Sequence, residues 1–150
     1  MNQCPECGAS REEGKQCRDY LDQVKAWEFE DVMGVGEVHL LTILCFNLQH
    51  PSLYSKKGLE FSLSMLLDVI GTARAEVLRA HRKSLPVLST DSRDFQISAT
   101  PESVGTYASA PAWTITIEDI MAGGRERYRE RVKEWSQATF TSLDASHHFE

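Results

Sequence analysis

The sequence predicts a mainly α-helical fold, a bundle of four to five helices with a cysteine-rich N-terminal knuckle and a long irregular segment around 86–113. Three observations lead to this prediction. Apolar residues recur at helical spacing over most of the chain, and Gly or Pro interrupts each apolar stretch. The 150 residues, 41% hydrophobic and 25% charged, also suit an ordinary globular domain. We therefore expect one domain over 1–150, with a head at 1–16 and a helical body at 17–150.

The head and the first two helices differ in pattern. Residues 1–16 are polar and rich in turn-forming residues, whereas from 17 to about 31 apolar residues recur near the helical spacing. Two glycines within 33–36 predict a break. A second helix, apolar nearly all round and therefore central, is expected over 37–49. It ends before Pro51, because the residue preceding a proline is pushed out of the α region.

The clearest helix follows. Its apolar stripe has spacings of four and three and consists of Leu59, Leu63, Leu66, Ile70, Ala73 and Val77. Pro86 ends it, and the Ser-, Thr- and Pro-rich residues up to 113 predict an irregular connection. Residues 113–117 alternate like a strand, although Thr116 with Asp119 also resembles a helix-capping pair; we favour a strand-like entry followed by a helix. After two glycines a last helix is expected over 125–143, and its inward stripe is Tyr128, Val132, Trp135 and Thr139.

The composition of the chain indicates which binding partners and which cellular location to expect. A net charge of −6 opposes non-specific binding to phosphate backbones, so a protein partner is favoured over nucleic acid. No apolar run approaches the roughly 20 residues of a membrane helix, so no membrane is expected, and the N-terminus lacks the pattern of a signal peptide. A cytoplasmic location follows, where cysteines stay reduced and act as ligands or buried thiols.

The sharpest motif is Cys4-Pro5-Glu6-Cys7-Gly8, because two thiolates two residues apart can bind one tetrahedral zinc ion. Cys17 adds a third sulfur at the predicted start of a helix. His39 and His50 compete as the fourth ligand. In an antiparallel helix pair, Cys17 lies beside His50, whereas His39 is about 16 Å away along the helix axis. The predicted ligands of a structural zinc are therefore Cys4, Cys7, Cys17 and His50, whereas Cys45 is interpreted as a buried core thiol.

His39 has its own possible role at the far end of this helix pair. Glu28 or Glu30 is expected near it, and a histidine beside carboxylates forms either a second polar site or a hydrogen-bonded core group. The second interpretation is favoured. The basic end of the third helix, residues 79–83 with His81, could together with Arg74 form a small anion-binding or RNA-binding patch, with a solvated helix end as the simpler explanation. A wider nucleic-acid-binding surface would use the arginines Arg74, Arg79, Arg82, Arg125 and Arg129. His147 and His148 are interpreted as a solvated tail.

A resemblance follows from these motifs taken together. The head CPECG, Cys17, the segment from His39 to the LQHP motif at 48–51, and the segment WTITIED at 113–119 are similar to a bacterial family that is classified as a domain of unknown function. The resemblance covers most of the chain. It implies that the three head cysteines, His39 and His50 are the polar positions to examine. It implies no activity, substrate or partner.

The function that the sequence favours is a binding or interaction module stabilised by one structural zinc, because a four-ligand shell leaves no open position for catalysis. No nucleophile or phosphate-binding motif is present. Two alternatives stay open. One is a metal-assisted, hydrolase-like enzyme that uses Glu28 or Glu30 with His39. The other is a nucleic-acid-binding protein that uses the zinc knuckle and the arginine-rich helix faces.

Overall fold

The computed structural model describes residues 2–31, 38–81 and 97–149, and their fold is mainly α, as the sequence predicts. Six α-helices, one more than the upper prediction, lie in the described part of the chain: α1 Cys17–Glu30, α2 His39–Leu48, α3 Lys56–Ile70, α4 Ala73–His81, α5 Ile117–Gly123 and α6 Tyr128–Ala145. Pro51–Leu53 forms a short 3-10 helix, and strands β1 Asn2–Gln3 and β2 Ser10–Arg11 form a small sheet. None of the described helices has the length and apolar character that a membrane crossing requires.

The head is a small β-hairpin closed by a tight turn. Strands β1 and β2 pair antiparallel, with Asn2 opposite Arg11. Inside the hairpin, the backbone N–H of Gly8 donates to the Cys4 carbonyl at 2.9 Å. Gly8 has φ +83°, a left-handed conformation that favours glycine. This turn brings the two cysteines of the CPECG motif to the same side of the head.

Helices α1 and α2 are antiparallel, as predicted. The first residue of α1, Cys17, lies next to His50 just beyond α2, while Glu28 near the end of α1 contacts His39 at the start of α2. The predicted glycine break at 33–36 lies outside the described residues. Contacts at both ends of the helix pair fix the register of α1 against α2. Two groups of polar residues therefore lie at opposite ends of this pair.

The predicted third helix is wrong in its second half, because Gly71 divides it. Gly71 has φ +69° and ends α3 in the left-handed conformation. The predicted apolar stripe therefore faces the core as far as Leu66, and beyond Gly71 a different set of positions faces the core. Val77, which was expected to face inward, is 48% exposed, whereas Ala75 and Leu78 are buried in its place. A left-handed residue turns the chain between the two helices, so the helical periodicity cannot continue across it.

The predicted strand-like entry at 113–117 is also wrong, since no strand is described there and α5 begins at Ile117. The capping alternative is the correct one. The Thr116 backbone N–H donates to Oδ2 of Asp119 at 2.9 Å, and the Thr116 side chain accepts from the backbone of the same residue. Hydrogen bonds at the helix end outweigh the alternating pattern here. The described part of the predicted irregular segment, 97–113, is irregular apart from isolated bridges, and 82–96 lie outside the described residues.

The core consists of two buried clusters, and α6 contributes residues to both. Cys4 and Cys7 belong to one buried cluster together with α1, α5 and Trp135 of α6. The other half of α6 packs with α2, α3 and α4. All four residues of the predicted inward stripe of α6 are buried, although the helix begins at Tyr128, later than expected. Trp135 is fully buried and lies at the centre of the fold.

Candidate metal centre

Three segments distant in sequence meet at the end of the α1–α2 pair. Cys4 and Cys7 come from the head hairpin, Cys17 is the first residue of α1, and His50 follows the C-terminus of α2. One ligand atom from each of these four buried residues lies within 4.8 Å of every other. Nothing in the local sequence of the head requires this convergence. It follows from the antiparallel register of α1 and α2, which places the start of one beside the end of the other.

The spacing of the ligand atoms suits a tetrahedral ion. Sγ of Cys4 lies 3.5 Å from Nε2 of His50, and Sγ of Cys7 lies 3.7 Å from Sγ of Cys17. Zinc bonds of about 2.3 Å to sulfur and about 2.0 Å to nitrogen give tetrahedral edges of about 3.8 Å for S–S and about 3.5 Å for S–N. Both distances therefore agree with a Cys3His shell around one ion.

His50 is oriented as a ligand by the helix that precedes it. Its Nδ1 donates a hydrogen bond to the Phe46 carbonyl at 2.6 Å. A proton on Nδ1 leaves the Nε2 lone pair free, and Nε2 is the atom that faces the sulfurs. The imidazole also stacks on the Phe46 ring, with centroids 4.2 Å apart. A hydrogen bond of this kind fixes the tautomer and the ring orientation of metal-binding histidines.

The sulfur atoms are surrounded by groups that stabilise negative charge. Backbone N–H groups of Cys7 and Ala9 donate to Sγ of Cys4 and of Cys7, at 3.5 and 3.4 Å. A hydrogen bond from the Cys7 thiol lowers the pKa of Cys17 to about 4 and correspondingly raises the pKa of Cys7. Burial opposes ionisation of both. Metal binding requires the thiolate form of each cysteine, so a bound cation would replace the thiol protons.

The pKa of His50 is raised. Burial alone would lower it, but the hydrogen bonds with Cys17 and with the Phe46 carbonyl outweigh this effect. Cys45 differs from the three head cysteines. It is fully buried in α2 outside the cluster, and burial raises the pKa of its thiol to about 12. It is therefore a core thiol, as the sequence predicts.

A second polar group lies at the opposite end of the helix pair. Glu28, only 6% exposed, accepts hydrogen bonds from Nδ1 of His39 at 2.7 Å and from the Thr42 hydroxyl at 2.8 Å. The His39 side chain is 54% exposed, so His39 is hydrogen-bonded as expected, but its interpretation as a core residue is wrong. Glu30 takes no part in this group and pairs with Arg125 at 3.0 Å. The prediction therefore placed one of the two glutamates near His39 and missed Thr42, which lies three residues beyond His39 on the same helix face.

The arginines that suggested a nucleic-acid surface are engaged by carboxylates. Four of these five arginines lie in the described residues, and each forms an ion pair at 3.0 to 3.5 Å: Arg74–Asp144, Arg79–Asp68, Arg125–Glu30 and Arg129–Asp31. Arg82 lies outside the described residues. These pairs neutralise the positive charge locally and weaken the nucleic-acid alternative.

The C-terminal histidines differ from each other. His148 donates from Nε2 to the Ser109 carbonyl at 2.6 Å, and its ring lies 4.6 Å from the ring of Tyr107. The interpretation of this histidine as a solvated tail is therefore wrong. The following residue, Phe149, is buried and holds the end of the chain against the body. His147 is exposed.

Comparison with known proteins gives one match. A family model described as a family of unknown function, DUF5946, matches residues 2–144, and the chain belongs to this family. The resemblance to a family of unknown function, inferred from the sequence motifs, is therefore confirmed. Neither the curated proteins nor the solved structures contain a match to the chain.

Proposed function

We propose that Cys4, Cys7, Cys17 and His50 bind one structural zinc ion in a domain whose role is to bind another protein. The observation that supports this proposal is the convergence of four buried ligand atoms within 4.8 Å of one another, with the Nε2 lone pair of His50 facing the sulfurs. Soft thiolates with an imidazole in tetrahedral spacing suit zinc rather than magnesium or calcium.

The arrangement supports a structural role for the ion. Four protein ligands complete a tetrahedral shell, so the ion would supply bonds and charge but no open position for substrate. The ligands come from the head, α1 and the end of α2, so binding would join the head to the first helix pair, and part of the binding free energy would appear as folding free energy. Because head cysteines also share a buried cluster with Trp135, we propose that residues 1–150 form one domain.

A cytoplasmic location is part of the same proposal. Three ligands are thiolates, and they bind metal only while they are reduced, a condition that the cytoplasm maintains. A protein partner is preferred to nucleic acid because the total charge is −6 and the described arginines of α4 and of the α6 end are paired with carboxylates.

Metal analysis of protein purified without added metal tests the zinc proposal. We expect one zinc ion per chain in the wild type and in Cys45→Ala, since Cys45 lies outside the cluster. In Cys17→Ala the zinc content should fall well below one. Cys45→Ala is a matched control for Cys17→Ala, because each variant removes one buried thiol. Wild-type protein without stoichiometric zinc, or equal retention in Cys17→Ala, would reject the ligand set.

The enzyme alternative is supported by one specific observation, the contact between Glu28 and His39. A buried carboxylate that accepts from Nδ1 orients the imidazole and leaves Nε2 for proton transfer or for a metal. Metal-assisted hydrolysis would require a second metal ion, bound through His39. It predicts more than one metal per chain, with the excess lost in His39→Ala and kept in His148→Ala. A single equivalent in the wild type at saturating zinc would reject this alternative.

A further inference from the structure

We propose that the groove beside the metal centre docks an extended segment of a partner protein that carries an acidic side chain next to an apolar one. This inference rests on the proposed function as an interaction module and specifies where and what the module binds. It depends on the shape of the groove, on its apolar and charged walls, and on the hydrogen bonds that already occupy its polar groups.

The groove has a volume of about 470 Å³. Behind it lie the side chains of the metal cluster and the Phe46 ring, which stacks on His50. Pro5 and Leu53 contribute apolar surface, and Leu53 is 43% exposed although it is a large hydrophobic residue. Burying the exposed part of this side chain against an apolar residue of a partner would remove apolar surface from water and so favour binding. The apolar part of the ligand is therefore assigned to Leu53 and Pro5, because Phe46 is only 2% exposed.

The cationic side of the groove is formed by Arg11 and Arg18. The Arg11 guanidinium donates to the Asn2 side-chain oxygen at 2.9 Å, the Gln16 side-chain oxygen at 3.0 Å and the Gln3 carbonyl at 3.4 Å. All three acceptors are neutral, so they hold the guanidinium in place without neutralising it. Charge-assisted hydrogen bonds from a fixed guanidinium are well suited to a carboxylate.

The other charged residues lining the groove leave this surface available. Arg18 pairs with Asp22 at 3.4 Å, so its charge is locally offset. The Glu6 carboxylate accepts from the backbone N–H and the hydroxyl of Ser52, at 3.1 and 3.0 Å, so it is engaged by two donors. Three thiolates with one zinc would leave one net negative charge on the cluster side of the groove. The acidic side chain of the ligand is therefore placed at Arg11 and the apolar one at Leu53.

The polar groups of the groove favour a protein segment over a small molecule. The buried side-chain atoms without a hydrogen-bond partner in the described residues are Gln49 Oε1, Arg131 Nε and Trp135 Nε1, and these residues do not line the groove. Small-molecule sites usually contain a few convergent buried polar groups. The lining here combines two arginine side chains with the apolar Pro5 and Leu53, and protein–protein interfaces combine apolar and polar surface in the same way.

Selection from a phage-displayed library of random dodecapeptides on the zinc-loaded full chain tests this inference. Selected peptides should share an Asp or Glu adjacent to Leu, Ile, Met or Phe. Their affinity, measured by fluorescence anisotropy with labelled synthetic peptides, should fall at least about tenfold in Arg11→Glu and in Leu53→Asp, because each change places a negative charge at the contact. Arg79→Glu and Val77→Asp are the matched controls, since they make the same changes on α4, and they should leave affinity unchanged.

Zinc content measured on the same samples separates this inference from the proposed function. If zinc is stoichiometric but no peptide is enriched, or the enriched peptides bind the groove variants as well as the controls, docking in the groove is rejected and the zinc site stands. Should Arg11→Glu disturb the head, NMR of wild-type protein decides the question. The Leu53 methyl signals and the Arg11 Nε signal must then shift on addition of peptide, and unchanged signals would also reject the proposal.

Discussion

Replacement of His50 by alanine gives the sharpest test of the proposal that a bound metal stabilises the fold. His50 is the one ligand outside the head and the start of α1. In its absence, the three cysteines still close the short loop from Cys4 to Cys17. The loop from Cys17 to His50, which includes α1 and α2, is no longer closed by the ion. We therefore expect a loss of stability that appears only when metal is bound.

The size of this loss follows from chain entropy. Closing a loop of roughly 30 residues reduces the entropy of the unfolded chain and stabilises the folded state by about 4 kcal/mol on the disulfide model, taken here as an upper value. His50→Ala also removes the stacking on Phe46 and the hydrogen bond to its carbonyl. Those losses are the same with and without zinc, so the difference between the two conditions isolates the metal cross-link.

Urea unfolding of wild type and His50→Ala, each with one equivalent of zinc and again in excess chelator, measures this difference. We expect the variant to lose 2–4 kcal/mol more in zinc than in chelator, a range near the disulfide estimate. His81→Ala, an exposed histidine at the end of α4, serves as the control and should show no such dependence. An equal loss for His50→Ala under both conditions would refute the reasoning, because it would show that His50 acts through packing alone.

Three further predictions follow from the described contacts. No thiol of the zinc-loaded protein should react with a disulfide reagent, and three thiols should react after chelation. Cys45 should react only after unfolding, because burial raises its pKa to about 12 and the thiolate is the reacting form. Reaction of Cys45 in the folded chain would contradict this prediction. Glu28→Ala should lower the free energy of unfolding by about 1–3 kcal/mol, because it removes a buried carboxylate that accepts hydrogen bonds from His39 and Thr42. Glu30→Ala removes only an exposed ion pair and should lower the free energy of unfolding by less than about 1 kcal/mol. Equal losses in urea unfolding would argue against a stabilising role of Glu28. Gly71→Ala should lower the free energy of unfolding by about 1–2 kcal/mol, because Gly71 has φ +69°, and Gly71→Asn should lower it less. An unchanged thermal midpoint in Gly71→Ala would show that this turn does not require glycine.

Much of the metal centre can be predicted from local sequence. The CPECG spacing identifies Cys4 and Cys7 as a chelating pair, and the expected start of α1 adds Cys17. The choice of His50 over His39 required one tertiary assumption, the antiparallel packing of two helices joined by a short connection. The structure places these four ligand atoms together. Metal binding itself stays a prediction until the metal content is measured.

Other features could not be read from the sequence. The stripe from Leu59 to Val77 looks continuous, because a single glycine within it is compatible with either a helix interior or a helix end. Similarly, the alternation at 113–117 is equally compatible with a strand and with a capped helix start. Both choices depend on hydrogen bonds and packing that form between distant segments, and periodicity contains no information about these partners.

The sequence by itself determined the mainly α fold, the inward face of α6 and the cysteine pair of the head, since each depends on spacings of a few residues along one helix or turn. Only the tertiary structure decided where α3 ends, which glutamate meets His39 and how Arg11 and Leu53 come to share a groove with the cysteine cluster. The physical reason is that these relations join residues far apart in the chain, and their geometry is fixed by packing of the core rather than by local conformational preference.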